Sequence, residues 1–123
     1  DLLLVVTDAG DVPTGFALLA LVDDALHLDE LSVHPAHAGR GFGARLLDAA
    51  EALAAARGIA AITLVTFRDV PWNAPWYRRR GFVELPMATL QPGLSERWRE
   101  EATRGLDPAR RLCMGKRVRQ PAA

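Results

Sequence analysis

The chain has 123 residues, half of them hydrophobic, and its 15 basic residues balance 15 acidic ones. That length and apolar content suit one globular domain with one core, and the zero net charge exerts no general pull toward nucleic acid or an anionic membrane surface. The lone cysteine, Cys113, excludes an internal disulfide or a zinc site of several thiolates, while the lack of a basic segment leading into a signal-like core, or of an apolar run near the roughly 20 residues of a membrane span, makes a cytoplasmic location the expectation.

The first element, "LLLVV" (2–6), begins at once after Asp1 and reads as a strand already under way, as if sequence preceded it. An Asp, Gly and Pro cluster marks a turn, and "FALLALV" (16–22) reads as the second arm of a hairpin. A further turn at Asp23 and Asp24 leads into "ALHLDELSV" (25–33). There Leu26 and Leu28 share one parity and Leu31 and Val33 the other, which a period-2 strand accommodates only with an irregularity; a β-bulge is therefore expected near Asp29 and Glu30.

Residues 43–57, "GARLLDAAEALAAAR", place Leu46, Leu47, Ala50, Leu53 and Ala54 on one face of a helix. Arg57 suits the negative end of the helix dipole and Gly58 a left-handed cap. "AAITLVTF" (60–67) reads as the strand that completes a βαβ unit. Asn73 and Pro75 signal the start of a short helix and Gly81 its end, with Asn73 as a side-chain cap. "FVEL" (82–85), a helix over Leu94–Arg104 and a last strand, "RLCMGKRV" (111–118), complete the chain.

"HPAHAGRGFGARLL" (34–47) is the segment with chemical promise. Gly39, Gly41 and Ala44 match the spacing of a dinucleotide fingerprint, but the preceding strand ends early, at Val33, and residues 59–64 contain no acid to hold a ribose. The alternative is a backbone cradle, in which successive N–H groups and the start of the helix face a diphosphate, with Arg40 and Arg45 adding positive charge. A purely structural turn into the helix is the plain reading of the same glycines.

With Val33, Pro35, Gly41 and Gly43 in place, and "NAPWYRRRGF" following the next strand, the sequence resembles the GNAT superfamily of N-acetyltransferases. The resemblance covers roughly residues 1–85 well and the final strand loosely. It implies an α/β fold, a mixed and largely antiparallel sheet with a central βαβ unit splayed at the strand bulge. It also implies one acetyltransferase-like domain over 1–123 without the family's first strand and helices. The family's Gln or Arg at the head of the loop falls on Ala38, so backbone amides from Gly39, Arg40, Gly41, Phe42, Gly43 and Ala44 would carry more of the contact to the pyrophosphate of acetyl-CoA.

By the same resemblance, Leu31, Ser32 and Val33 contribute backbone groups to the pantetheine arm and the thioester oxygen, Asn73 contacts the arm, and Tyr77, the only tyrosine, stands at the place of the general acid. A lysine-like amine, with a reference pKa of about 10.4, must lose a proton before it attacks. Glu30 at the bulge is the first choice of base, with Asp29 and His27 as rivals. The expected co-substrate is acetyl-CoA, with no metal, since His34 and His37 have no ligand spacing around them. The expected reaction is acetylation, by direct attack, of an amine of a small molecule or peptide, with neither nucleic acid nor membrane as partner. A catalytically silent acyl-CoA-binding or interaction domain is the competing reading. Cys113 reads as a small buried hydrophobe, Arg78–Arg80 as a solvated run from which one arginine could reach a phosphate, Trp72, Trp76 and Phe67 as core or cleft wall, and segment 86–108 as a cap over the acceptor site or a homodimer contact.

Overall fold

The computed structural model describes residues 1–105 and 107–120. Strands β1 (Leu2–Thr7), β2 (Pro13–Val22), β3 (Ala25–Val33), β4 (Ala61–Phe67), β5 (Val83–Leu85) and β6 (Arg111–Arg117) form one sheet in the order β1-β2-β3-β4-β6-β5. Every neighbouring pair is antiparallel except β3 with β4. Helices α1 (Phe42–Ala56) and α2 (Ala74–Arg78) belong to one face, and α3 (Pro92–Thr103) lies against the other. The mixed, largely antiparallel sheet with a central βαβ unit is thus the observed architecture, with β3, α1 and β4 as the unit.

The bulge falls on β3 where the parity argument placed it. Leu18 faces Glu30 and Leu19 faces Leu28, so Asp29 is the extra residue. Because it is bulged out of the pairing, Leu31 and Val33 return to the face of Leu26 and Leu28, and all four pack into or against the core beneath α1. That core is closed by Leu46, Leu47, Ala50 and Ala54 of α1, with Ile62 and Leu64 of β4. Burying a leucine of this kind contributes about 1.5–3 kcal/mol, so the phase of β3 is held by several side chains at once.

Beyond the bulge the central pair comes apart. β3 and β4 are paired only over Leu26–Leu28 and Ile62–Leu64, although β3 runs on to Val33 and β4 to Phe67. The splay leaves a gap in the backbone pairing between the two strands.

Most boundaries agree to within a residue, and the two that differ by more do so for identifiable reasons. β2 begins at Pro13 rather than Phe16, because Thr7 of β1 pairs as far as Pro13. α3 begins at Pro92 rather than Leu94, because its start is capped from a distance: Asp23, in the turn between β2 and β3, accepts from the Gly93 and Leu94 amides at 2.8 and 2.6 Å. Asp23 and Asp24 both have positive φ, 52° and 64°, the form of a two-residue hairpin turn that follows strand twist. Gly93 is required there, since a Cβ would stand 2.6 Å from Asp23 Oδ1.

Candidate active site

On the α1 and α2 face, a cleft of about 750 Å³ is lined by the loop from His37 to Ala44, by Leu31 and Val33 of β3, and by Trp72, Asn73, Trp76, Tyr77 and Arg80. Gly39 and Gly41 take φ of 79° and 82°, left-handed backbone that glycine adopts without strain. A Cβ at either would meet nothing within 4 Å, so their conformation rather than crowding calls for glycine. Gly41 is also the N-cap of α1 and supplies no side-chain acceptor. The first-turn amides of Phe42, Gly43 and Ala44 are therefore left to the cleft, at the positive end of a 15-residue helix.

Arg40 is exposed and does not line the cleft, and Arg45 packs its guanidinium 5.4 Å from the Phe42 ring centre. Arg80 is the one arginine among the lining residues.

Opposite the loop stands Tyr77, 8% exposed and held edge to face by Trp76 and Phe82 at 5.0 and 5.5 Å. Burial pushes its hydroxyl up to about 12, so it keeps its proton throughout the ordinary pH range. Asn73 is the N-cap of α2 by position, but its side chain makes no capping bond. Thr66 Oγ1 on β4 donates to Asn73 Oδ1 at 2.6 Å instead, which corrects the cap expectation. That bond fixes the amide against the sheet and leaves its NH2 without a partner among the described residues, on a residue that lines the cleft.

Through the splay, the other face carries a second, polar cavity of about 330 Å³ whose walls include Leu18, His27, Asp29 and Glu30 with Arg97, Glu100, Glu101 and Arg104 of α3 and its end. Asp29 is ion-paired with Arg97, and its Oδ1 is 3.7 Å from His27 Nε2. His27 is 3% exposed and hydrogen-bonds Thr63 Oγ1 through Nδ1 at 2.9 Å. Burial lowers its pKa from the ordinary value, with Arg97 acting in the same direction and Asp29 and Asp23 against, so the ring is neutral at pH 7. Glu30 is exposed and has no ion-pair partner among the described residues.

The model of the acetyltransferase (GNAT) domain matches residues 1–84. The chain belongs to the GNAT acetyltransferases. Its fold is similar to that of N-acetylglutamate synthase from Neisseria gonorrhoeae, solved with coenzyme A and N-acetyl-glutamate, at 19% identity and TM-score 0.77 over 96% of this chain and 26% of that one. A GNAT-family acetyltransferase from Staphylococcus aureus matches at 17% identity and TM-score 0.74, over 95% of this chain and 67% of that one. The ribosomal-protein-S18-alanine N-acetyltransferase from Escherichia coli matches at 21% and 0.67, over 99% and 71%. The chain thus spans about a quarter of the gonococcal synthase and roughly two thirds of the other two.

Within this GNAT domain the cleft gathers Leu31, Val33, Gly39, Gly41, Phe42, Gly43, Ala44, Asn73 and Tyr77 from the residues marked in the sequence, and turns Ser32 to the opposite side, beside Phe16. Glu30 belongs to the cavity across the splay. One contributor escaped the sequence reading, Thr66, whose alternation alone made it a strand residue; Trp76 is the cleft wall it was read as, and what the sequence left open was that Arg80 is the arginine paired with it. The pair carried a signal in its i, i+4 spacing, obscured by the neighbouring arginines. Cys113 is fully buried, and burial foremost, with Glu101 nearby, pushes its thiol up to about 11, as befits an inert packing residue.

Proposed function

We propose that this domain is an acetyl-CoA-dependent N-acetyltransferase that acetylates an amine of a small molecule or peptide by direct attack. The observation that carries the reading is the juxtaposition, across one cleft, of an uncapped helix start with left-handed glycines and a buried, protonated tyrosine, next to the slot where β3 and β4 part. The free amides suit a diphosphate. The slot suits a narrow acyl arm, flanked by backbone groups of Leu31, Ser32 and Val33. Acetyl-CoA, when bound, would supply the activated acyl group.

Direct attack divides the proton work between the two faces. Glu30, unpaired and facing the polar cavity, takes a proton from the incoming ammonium; Asp29 is engaged by Arg97 and His27 by Thr63, which leaves Glu30 the free group. The amine nitrogen then forms its bond to the acyl carbon as the carbon–sulfur bond breaks, and Tyr77 donates its hydroxyl hydrogen to the departing sulfur. Against a thiol of about 8.5 in water, a phenol near 12 holds its proton more tightly. Tyr77 therefore serves first as a hydrogen-bond donor to the developing thiolate, and full transfer requires the same dry cleft to raise the thiol as well. α3 forms a wall of the acceptor cavity.

The test is to add acetyl-CoA and a panel of small amines, peptides and aminoglycoside-type polyamines to the purified protein, and to follow thermal stability together with free-thiol release. Protection by acetyl-CoA plus amine-dependent thiol release is expected. Protection without release on any amine would overturn the catalytic reading in favour of an acyl-CoA-binding domain.

A further inference from the structure

The three consecutive arginines after Tyr77 are not equivalent. Arg78 leans to Glu84 at 4.0 Å and Arg79 is exposed, whereas Arg80 turns back into the cleft. Its guanidinium lies 3.8 Å from the centre of the Trp76 ring, one helical turn earlier, and Nη1 donates to the Trp76 carbonyl at 3.4 Å. No carboxylate neutralises it among the described residues, and four of its five N–H groups are without a protein partner.

Trp76 is itself well fixed. It stands perpendicular to Tyr77, and Cζ2 at its edge comes within 3.7 Å of where a Cβ on Gly43 would be. The ring thus reaches the start of α1, and the guanidinium on its face lines the same cleft as Phe42, Gly43 and Ala44. A stacked guanidinium has its fork of donors oriented in advance, and that fork matches two oxygens of a phosphate. Meanwhile Ala38, at the head of the loop, offers no polar side chain to the same cleft.

We infer that Arg80, held on Trp76, is the cleft's cationic anchor for a phosphate of the acetyl donor, replacing the side-chain contact that Ala38 cannot make. The inference rests on the acetyl-CoA reading above and adds a specific residue to it. Arg80 takes no part in the bond changes, so its effect belongs to donor binding. The loop amides fix the position of the diphosphate, and Arg80 balances its charge from the α2 side.

The experiment compares wild type with Arg80→Gln and Arg80→Lys, binding three donors by calorimetry: acetyl-CoA, its analogue lacking the ribose phosphate, and acetyl-pantetheine, which has no phosphate. Arg80→Gln should weaken acetyl-CoA about tenfold or more, about the 1.4 kcal/mol of one charge-assisted bond, and leave acetyl-pantetheine unchanged. Arg80→Lys, which keeps the charge but not the fork, should fall between. Equal weakening of the analogue assigns the contact to the diphosphate, and weakening of acetyl-CoA alone assigns it to the ribose phosphate. Unchanged acetyl-CoA binding in Arg80→Gln, or equal loss of all three donors, overturns the inference; equal loss means that Arg80 merely supports Trp76. If the wild type itself, folded by circular dichroism, binds no acetyl-CoA, the reading beneath falls too, so the two failures are separable.

Discussion

The two faces of the sheet are built on different principles. The α1 face offers backbone: uncapped amides, left-handed glycines and a tyrosine locked among aromatic rings, over a continuous apolar core. The α3 face offers charge. Leu94 is the one buried residue of α3, and the helix is seated by Asp23 at its start and by the Arg97–Asp29 and Arg111–Glu101 pairs along its length. Partly exposed ion pairs of that kind contribute only about 0–1 kcal/mol each. Trp98 Nε1, Glu101 Oε2 and two nitrogens of Arg111 are buried there without partners, and each costs about 1–3 kcal/mol. On the proposed reading, the donor is met by main chain and the acceptor by charged side chains.

If that division is right, perturbing the two faces should have different signatures. The largest effect is expected from Tyr77→Phe, which removes the donor and leaves the ring: turnover should fall by about 100-fold or more, with acetyl-CoA affinity nearly intact in equilibrium titration. An unaltered kcat would take Tyr77 out of the acid role. Glu30→Gln should lower kcat by up to about 100-fold without touching acetyl-CoA affinity, and the loss should shrink as pH rises and more of the amine is already neutral. A loss constant with pH would remove Glu30 as the base.

Asp23→Ala should cost about 1 kcal/mol in denaturant unfolding, and amide exchange should quicken over Pro92–Thr103 with α1 unaffected. Equal acceleration in both helices would mean that the faces are one cooperative unit. The smallest effect is in pH. His27 has a lowered pKa in the folded chain, so it binds a proton more weakly than the unfolded chain does. Its contribution is therefore intact above about 6.5 and drains away as pH falls toward the lowered value. His27→Gln should flatten the pH dependence of stability below about pH 6.5; an unchanged slope would place the acid sensitivity elsewhere.

The same division explains what could be read from the residues alone. The α1 face is local in sequence: the glycines, the helix they open, and Asn73 and Tyr77 four apart all sit in short segments whose spacing is set by backbone geometry. Even the bulge was visible, because a parity break in β3 needs only neighbouring residues. The α3 face is assembled from partners far apart, with Asp23 and Gly93 separated by 70 positions and Asp29 and Arg97 by 68, and no periodicity announces such pairs. Asn73 shows the limit on the near side as well. Its type and place fit a helix cap, but a threonine seven residues earlier on β4 holds its side-chain oxygen instead. Which of the three arginines reaches the cleft was hidden, since a run of three reads as solvated surface with one member able to reach a phosphate until the end of α2 gives each its own direction.

The bulge at Asp29 has one more consequence, for how this strand tolerates change. What keeps Leu31 and Val33 facing the cleft is that the extra residue is bulged out of the pairing, not the carboxylate it carries. Substitution there leaves the bulge intact, and deleting the residue would restore plain alternation with Leu31 and Val33 still on the face of Leu26 and Leu28. Pairing Asp29 as an ordinary strand residue would instead exchange the two sides, turning Ser32 toward the cleft and Leu31 toward the polar cavity. Between Leu28 and Val33, then, this protein is vulnerable to a slip of pairing register rather than to a change of letter.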